Sequence, residues 1–130
     1  MVTRIVCAGT FDIFHTGHVE YLKAAKALAS DSELIVIVAR GATSEKIKGK
    51  KTVNNEEVRL KKIADLDFVD EAVLGFPDGK LIDRVVSLKP DIIALGFDQW
   101  AKEDWISKEL KNRGFDVEVV RMKEFEKKSL

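Results

Sequence analysis

The stretch Gly9-Thr10-Phe11-Asp12-Ile13-Phe14-His15-Thr16-Gly17-His18 decides the fold of this chain, because it joins an apolar run to an amphipathic segment. Residues 4–8 before it read as a short buried strand, and the apolar residues after it recur at helical spacing. A helix that begins near Gly17 directs its unpaired backbone N–H groups, and the positive end of its dipole, toward this loop. The stretch therefore predicts a phosphate site in which His15 and His18 donate ring N–H groups to phosphate oxygens.

The two histidines also allow simpler interpretations. They can be ordinary polar residues near a helix N-terminus, or a pair three residues apart that shares a metal ion. Neither a cysteine-rich segment nor an H-E-x-x-H motif supplies further ligands, so we predict no metal site built by the protein alone. The single cysteine, Cys7, lies inside the apolar first run, and we assign it to packing rather than to nucleophilic catalysis.

The composition describes one small globular domain. The chain has 130 residues, of which 45% are hydrophobic, and 22 basic side chains offset 22 acidic ones. A formal net charge of zero creates no global field for nucleic acid or an anionic membrane, so any anion binding is local. The sequence shows neither a secretory signal pattern nor an apolar run of about 20 residues, the length of a membrane span. One cysteine cannot form an internal disulfide, and we expect a cytoplasmic protein.

Apolar runs alternate with helical patterns along the whole chain. This alternation predicts an α/β fold: a single Rossmann-like domain whose parallel sheet of about five strands carries helices on both faces. Right-handed crossovers make the first strand central. The predicted strands are residues 4–8, 33–39, 72–74, 92–95 and 117–120, and the predicted helices begin near residues 17, 54–55, 80 and 102, the last of them ending at Gly114.

Three loops follow strands at the edge of the sheet where ligands bind. One carries His15 and His18, residues 39–51 follow the second strand, and residues 96–100 follow the fourth. The second loop contains Lys46-Ile47-Lys48-Gly49-Lys50-Lys51, which by itself indicates a solvated surface loop. Next to the histidine loop, the same lysines become counter-charges for a nucleoside triphosphate.

The third loop places Asp98 after a glycine and a buried strand. Its carboxylate can accept hydrogen bonds from a ribose hydroxyl or help to hold a hydrated metal ion, and it can also simply form the turn. Trp100 and Trp105 can stack on a planar ring or cover the edge of the sheet, and the sequence leaves both unassigned.

The motif G-T-F-D-x-x-H-x-G-H at residues 9–18 resembles the signature of the nucleotidyltransferase superfamily, which includes cytidylyltransferases, adenylyltransferases of small phosphates and archaeal FAD synthases. The resemblance covers nearly the whole chain and implies a nucleotidyltransferase domain over residues 1–130. The family's serine-rich stretch, and the final helix that touches the triphosphate, have no counterpart here. We therefore expect a domain that lacks the family's C-terminal segment.

The resemblance also implies the roles of individual residues. The histidines stabilise charge on the α-phosphate, a lysine after the second strand and an arginine in the following helix contact phosphates, and a divalent ion of the Mg²⁺ type arrives with the nucleotide. The implied catalytic residues are His15, His18 and Lys48, the implied nucleotide-binding residues are Gly9, Thr10, Phe11, His15, Thr16, Gly17, His18 and Asp98, and the implied acceptor-phosphate residues are Lys50 and Arg59. The choice between Lys48 and Lys50 stays open.

Longer matches favour one branch of the superfamily. Residues 38–40, 46–51 and 89–99 resemble archaeal FAD synthases, which transfer AMP from ATP to FMN. Glycerol-phosphate cytidylyltransferases instead carry R-Y-V-D-E before the third strand, where this chain has Asp67-Phe68-Val69-Asp70-Glu71, and R-T-x-G-I-S-T-T near the end, where it has no clear counterpart. We predict an FMN adenylyltransferase that takes ATP and FMN. The alternatives are a cytidylyl- or adenylyltransferase of a polyol or sugar phosphate and a non-catalytic nucleotide-binding module, and the family's frequent dimers allow a homodimer.

Overall fold

The computed structural model describes residues 2–78, 80–99 and 101–129. The chain forms β1 (Thr3–Gly9), α1 (Thr16–Lys26), β2 (Ser32–Val38), α2 (Gly41–Lys48), α3 (Glu56–Ala64), β3 (Glu71–Leu74), α4 (Leu81–Leu88), β4 (Ile92–Leu95), α5 (Glu103–Asn112) and β5 (Glu118–Arg121). Within these described ranges, no helix has the length and apolarity that a membrane crossing requires.

The strands form one parallel sheet in the order β3-β2-β1-β4-β5. β1 is central, since it pairs with β2 from Thr3 to Gly9 on one side and with β4 from Ile5 to Cys7 on the other. The winding direction reverses between these two neighbours, and a crevice opens there beyond the carboxyl ends of the strands. The predicted α/β fold with a central first strand is confirmed.

Burial on both faces of the sheet gives the domain two apolar layers. Leu34, Val36 and Val38 of β2 pack in the layer that also contains residues of α1 and α3. Ile35 and Ile37 face the opposite layer, which contains residues of α4 and α5. Successive strand residues point to opposite faces, so one continuous apolar run supplies both layers.

Cys7 lies fully buried in the layer under α1 and α3. Burial raises the pKa of its thiol to about 12, although a hydrogen bond with Tyr21 opposes the shift. A thiol with this pKa is not a nucleophile at neutral pH. The packing role predicted for Cys7 is therefore consistent with its environment.

The largest difference from the predicted elements is α2. Residues 41–48 were expected as loop but form a helix, which ends at Gly49 in the left-handed region with φ +77°. Ser44 is the one buried residue of this helix, so no apolar periodicity marks it in the sequence. Part of the predicted lysine loop is thus a helix whose last turn carries Lys46 and Lys48.

Candidate active site

A cleft of about 690 Å³ lies at the carboxyl ends of β1, β2, β3 and β4. Its volume falls within the range of small-molecule sites. Most of the predicted site residues line it: Gly9, Thr10, Phe11, His15, Gly17, His18, Lys48, Lys50 and Asp98. The residues that do not line it are Thr16 and Arg59. The structure therefore brings most of the predicted residues together in one cleft and leaves these two outside it.

The two histidine rings lie stacked at the start of α1. Their centroids are 3.7 Å apart with an angle of 18° between the ring planes, and the backbone N–H of His15 donates to Nδ1 of His18 at 3.3 Å. Because Nδ1 accepts this bond, the neutral His18 ring carries its proton on Nε2. His18 is thus a hydrogen-bond donor through Nε2 without being a cation.

The electrostatic environment keeps both rings neutral. Burial is the main cause that lowers the pKa of His18 to about 4, and repulsion from a protonated His15 and from Lys127 and Lys48 lowers it further. Burial and the charge of Lys127 also lower the pKa of His15. At neutral pH the cleft therefore presents N–H dipoles from the histidines and positive charge from the lysines.

Two glycines permit this arrangement. A Cβ on Gly17 would lie 2.9 Å from Cε1 and Nδ1 of the His15 ring, and a Cβ on Gly9 would lie 2.8 Å from the Phe11 ring. Phe11 itself has a φ of +54°. Its buried ring makes an edge contact with the His18 ring, and the two ring centroids are 5.3 Å apart. Gly17 therefore leaves room for the His15 ring, and Gly9 leaves room for the Phe11 ring, which contacts His18.

The first backbone donors of α1 are not all free. The N–H of Thr16 donates to the Lys128 carbonyl at 2.9 Å, and the N–H of His18 donates to the His15 carbonyl at 3.1 Å. The Thr16 hydroxyl donates to the Glu126 carbonyl and accepts from the Lys128 N–H. The expectation that these donors remain unpaired was wrong for Thr16 and His18, and Thr16 anchors the segment after β5.

Arg59, predicted to contact the acceptor phosphate, is fully buried. Nε donates to the Asn54 carbonyl at 3.0 Å, and Nη1 donates to the carbonyls of Thr10 and Ala39 at 2.9 and 2.6 Å. These carbonyls belong to the loop after β1, the loop after β2 and the loop just before α3. Arg59 therefore joins three parts of the cleft wall from inside, and the structure does not bring it to the cleft surface.

The lysines reach the cleft from both sides of the Gly49 turn. Lys48 ends α2, Lys50 and Lys51 follow the turn, and all three line the cleft. Glu56 fixes the other end of α2, because its carboxylate accepts from the Gly41 N–H at 3.1 Å and pairs with Arg40 at 3.0 Å. Lys48 and Lys50 both line the cleft, so the structure is compatible with either of them as the lysine that contacts a phosphate.

The loop that carries Asp98 is fixed by a residue that the sequence did not indicate. Arg121, at the end of β5, donates to the carbonyls of Gly96, Gln99 and Ala101 at 2.7 to 3.0 Å. Gln99 closes the same turn by accepting from the Gly96 N–H at 2.6 Å. Trp100, which the sequence left unassigned, lies outside the described residues.

Other missed residues come from the segment at residues 122–129. Lys123, Phe125 and Lys127 line the cleft beside the histidines. The sequence signal for these residues is weak, because this segment departs from the R-T-x-G-I-S-T-T pattern and has no periodicity of a long helix or strand.

The acidic residues of the cleft are few. Asp12 and Asp98 line it, and the described residues contain no group of three or more metal-ligating side chains. Burial would raise the pKa of Asp12, but hydrogen bonds from the N–H groups of Asn54 and Val53 hold it below its ordinary value. The carboxylate of Asp12 is therefore committed to the loop before α3.

The fold and this cleft define an α/β nucleotide-binding domain with an H-x-G-H loop. The chain belongs to the cytidylyltransferase-like family, whose profile matches residues 6–129. It is 46% identical over 126 residues to a protein named FAD synthase from Korarchaeum cryptofilum, across 96% of this chain and 84% of that protein. A protein of the same name from Methanothermus fervidus is 49% identical over 126 residues, across 96% of this chain and 86% of that protein.

A solved structure supports the fold assignment. The crystal structure of the lipopolysaccharide core biosynthesis protein from Thermoplasma volcanium superposes with a TM-score of 0.89 at 38% identity. The superposition covers 97% of this chain and 100% of that one.

Proposed function

We propose that this protein is an FMN adenylyltransferase, which transfers AMP from ATP to the phosphate of FMN and releases pyrophosphate. Relatives named FAD synthase match nearly the whole chain at 46% and 49% identity. The observation that carries the proposal is the cleft itself, which brings His15, His18, Lys48 and Lys50 together at the carboxyl ends of the strands.

The proposed reaction needs little covalent chemistry from the protein. A phosphate oxygen of FMN attacks the α-phosphorus of ATP in line, and a new P–O bond forms as the bond to the bridging oxygen of pyrophosphate breaks. A phosphate monoester is already largely ionised at neutral pH, so no general base is required. Positioning and charge neutralisation therefore account for most of the acceleration.

The histidines are suited to the α-phosphate. Nε2–H of His18 donates to an oxygen on which charge grows, and the neutral ring does so without a proton transfer. Nδ1 of His15 is a buried atom without a hydrogen-bond partner among the described residues. A nucleotide phosphate in this position would give that nitrogen a partner and resolve the unpaired group.

The lysines divide between the two substrates in this proposal. Lys48, on the last turn of α2, contacts the phosphates of ATP, and Lys50, after the Gly49 turn, contacts the phosphate of FMN. Both are cations in a cleft whose acidic side chains are Asp12 and Asp98. Asp98 accepts a hydrogen bond from a ribose hydroxyl, in a turn fixed by Arg121.

The cleft fits a divalent ion that arrives with ATP. Mg²⁺ is commonly bound by one or two carboxylates together with substrate phosphates, and Asp98 is the carboxylate that would help to hold it as the alternative to the ribose contact. When bound, such an ion neutralises charge on the β- and γ-phosphates. The residues of the chain then bind the nucleotide, orient the α-phosphate and exclude water.

The test is a substrate panel. The protein is incubated with ATP or CTP, Mg²⁺, and FMN or glycerol 3-phosphate, and pyrophosphate and the nucleotide product are followed together. We expect FAD and equimolar pyrophosphate from ATP with FMN. A CDP- or ADP-linked polyol as the faster product would overturn the choice of acceptor, and tight ATP binding without pyrophosphate release would overturn the enzymatic assignment.

Two further parts of the proposal concern the setting of the reaction. We place the protein in the cytoplasm, where ATP and FMN are available and where a buried free thiol such as Cys7 is stable. The family resemblance also allows a homodimer. Light scattering on the purified protein distinguishes monomer from dimer.

A further inference from the structure

The segment at residues 122–129 folds back from β5 to the start of α1. The Thr16 N–H donates to the Lys128 carbonyl at 2.9 Å, the Lys128 N–H donates to the Thr16 hydroxyl at 2.9 Å, and this hydroxyl donates to the Glu126 carbonyl at 3.1 Å. His15 and Ser129 add an antiparallel bridge. These contacts span more than a hundred residues of sequence and fix the segment beside the histidine pair.

The side chains of this segment are sorted by charge. Lys123, Phe125 and Lys127 line the cleft, whereas the intervening Glu124 and Glu126 do not. Two residues with cationic side chains and one with an aromatic ring therefore line the cleft, and the two acidic residues of the segment are not among its lining residues. A segment that served only as a surface cover would have no physical reason for this sorting.

The segment at residues 122–129 also changes which groups at the start of α1 are available to bind an anion. The Lys128 carbonyl occupies the Thr16 N–H, which would otherwise be free at the first position of the helix. In the same place, the segment brings the ammonium group of Lys127 close enough for its charge to lower the pKa values of His15 and His18. The start of α1 therefore has one free backbone N–H fewer, that of Thr16, and the full positive charge of Lys127 lies beside it.

Lys127 is available for a ligand. No carboxylate of the described residues lies within ion-pair distance of it, whereas the adjacent Lys128 has Glu126 at 3.9 Å. Lys128 has an exposed side chain and does not line the cleft. The two neighbouring lysines therefore differ in position although they share charge, length and segment.

We propose that Lys127 contacts the β- and γ-phosphates of the nucleotide and neutralises charge on pyrophosphate as it leaves. This inference rests on the proposed nucleotidyl transfer, in which the bond between the α-phosphorus and the bridging oxygen breaks and pyrophosphate takes the electron pair. The ammonium group next to the histidines stabilises that charge, and Lys128 does not contribute to it.

The experiment compares K127A with K128A as a matched control and with K127R as a rescue variant. Calorimetry measures the Kd of ATP with Mg²⁺ in the absence of FMN, and steady-state assays give kcat, the KM for ATP and the inhibition constant of pyrophosphate. For K127A we expect weaker binding of both ATP and pyrophosphate by about tenfold, as one partly screened charge contact to a phosphate supplies. K128A should stay within about twofold of the wild type, and K127R should recover most of the loss.

A pH profile separates a charge effect from a structural one. Removal of the Lys127 charge should raise the pKa of the neighbouring histidines, so the acid limb of kcat/KM for ATP moves to higher pH in K127A and not in K128A. Equal effects of K127A and K128A on the Kd of ATP and on pyrophosphate inhibition would overturn the inference. A wild type that binds ATP but makes no FAD would refute the proposed acceptor and leave the Kd comparison fully informative.

Discussion

Exchange of Arg59 tests whether this residue holds the cleft together or contacts a substrate. The buried guanidinium makes three hydrogen bonds, to the carbonyls of Asn54, Thr10 and Ala39. Each bond from a charged donor contributes about 1.5 to 3 kcal/mol, and R59M leaves the three carbonyls without this partner. Relief of the cost of burying the charge offsets part of the loss, so we expect R59M to lower the free energy of unfolding by about 3 to 5 kcal/mol.

The assay is urea unfolding followed by far-UV circular dichroism, with thermal melts in parallel. For a domain of this size the expected loss corresponds to a fall in Tm of about 10 to 20 °C. R59K keeps the positive charge but lacks the planar fork that reaches three carbonyls, so it should lose most of the same stability. K62M, at an exposed position of the same helix, is the matched control and should change the free energy of unfolding by less than about 0.5 kcal/mol.

A substrate-binding role gives the opposite pattern. If Arg59 contacted the acceptor phosphate, R59M would raise the KM for FMN strongly while its Tm stayed within about 3 °C of the wild type, and R59K would retain most of the activity. That combination of results would refute the structural reasoning, because it requires a guanidinium that is free to reach the cleft.

Three further predictions concern the histidine loop. H18A should abolish FAD formation while the far-UV spectrum stays that of the folded protein, because it removes the Nε2–H donor, and retention of most activity would contradict the assignment. G17A should lower kcat/KM for ATP by at least about tenfold, since its Cβ would lie 2.9 Å from the His15 ring and must displace it; unchanged kinetics would show that the ring position is not critical. Burial lowers the pKa of His18 from 6.5 to about 4, so the unfolded chain binds a proton at this residue at a higher pH than the folded chain does. The stability contributed by the neutral ring is therefore present above pH 6.5 and is lost as the pH falls toward 4. Urea midpoints at pH 7 and pH 5 should therefore differ more for the wild type than for H18A, and equal differences would contradict this linkage.

The fold could be predicted from the sequence because its signals are local. The apolar run of β1, the G-T-F-D-x-x-H-x-G-H motif and the alternation of strands with helices each depend on neighbouring residues. α2 was missed for the same reason: Ser44 is its one buried residue, so the helix presents no apolar stripe that a sequence pattern could reveal. Its ends are fixed instead by Glu56 at Gly41 and by the left-handed Gly49.

The site was only partly predictable, because the role of a lysine or arginine depends on which groups the fold places around its side chain. The motif located the cleft, and Lys48 and Lys50 line it as expected. Arg59 could not be placed correctly from its spacing, since the sequence does not show that three backbone carbonyls converge on its guanidinium. Arg121 and Lys127 are far from the motif in sequence and reach the site through the fold alone.

Arginines and lysines have different roles at these positions. Arg59 and Arg121 do not line the cleft but donate to carbonyls of the loops around it, where the fixed fork of a guanidinium can satisfy several acceptors at once. Lys48 and Lys127 line the cleft itself, where a compact ammonium group can follow phosphates as charge moves from the α-phosphate to pyrophosphate. The exchange of one cation for the other should therefore act in opposite ways: R59K fails because the loops lose their common partner, whereas K127R succeeds because only the charge is needed.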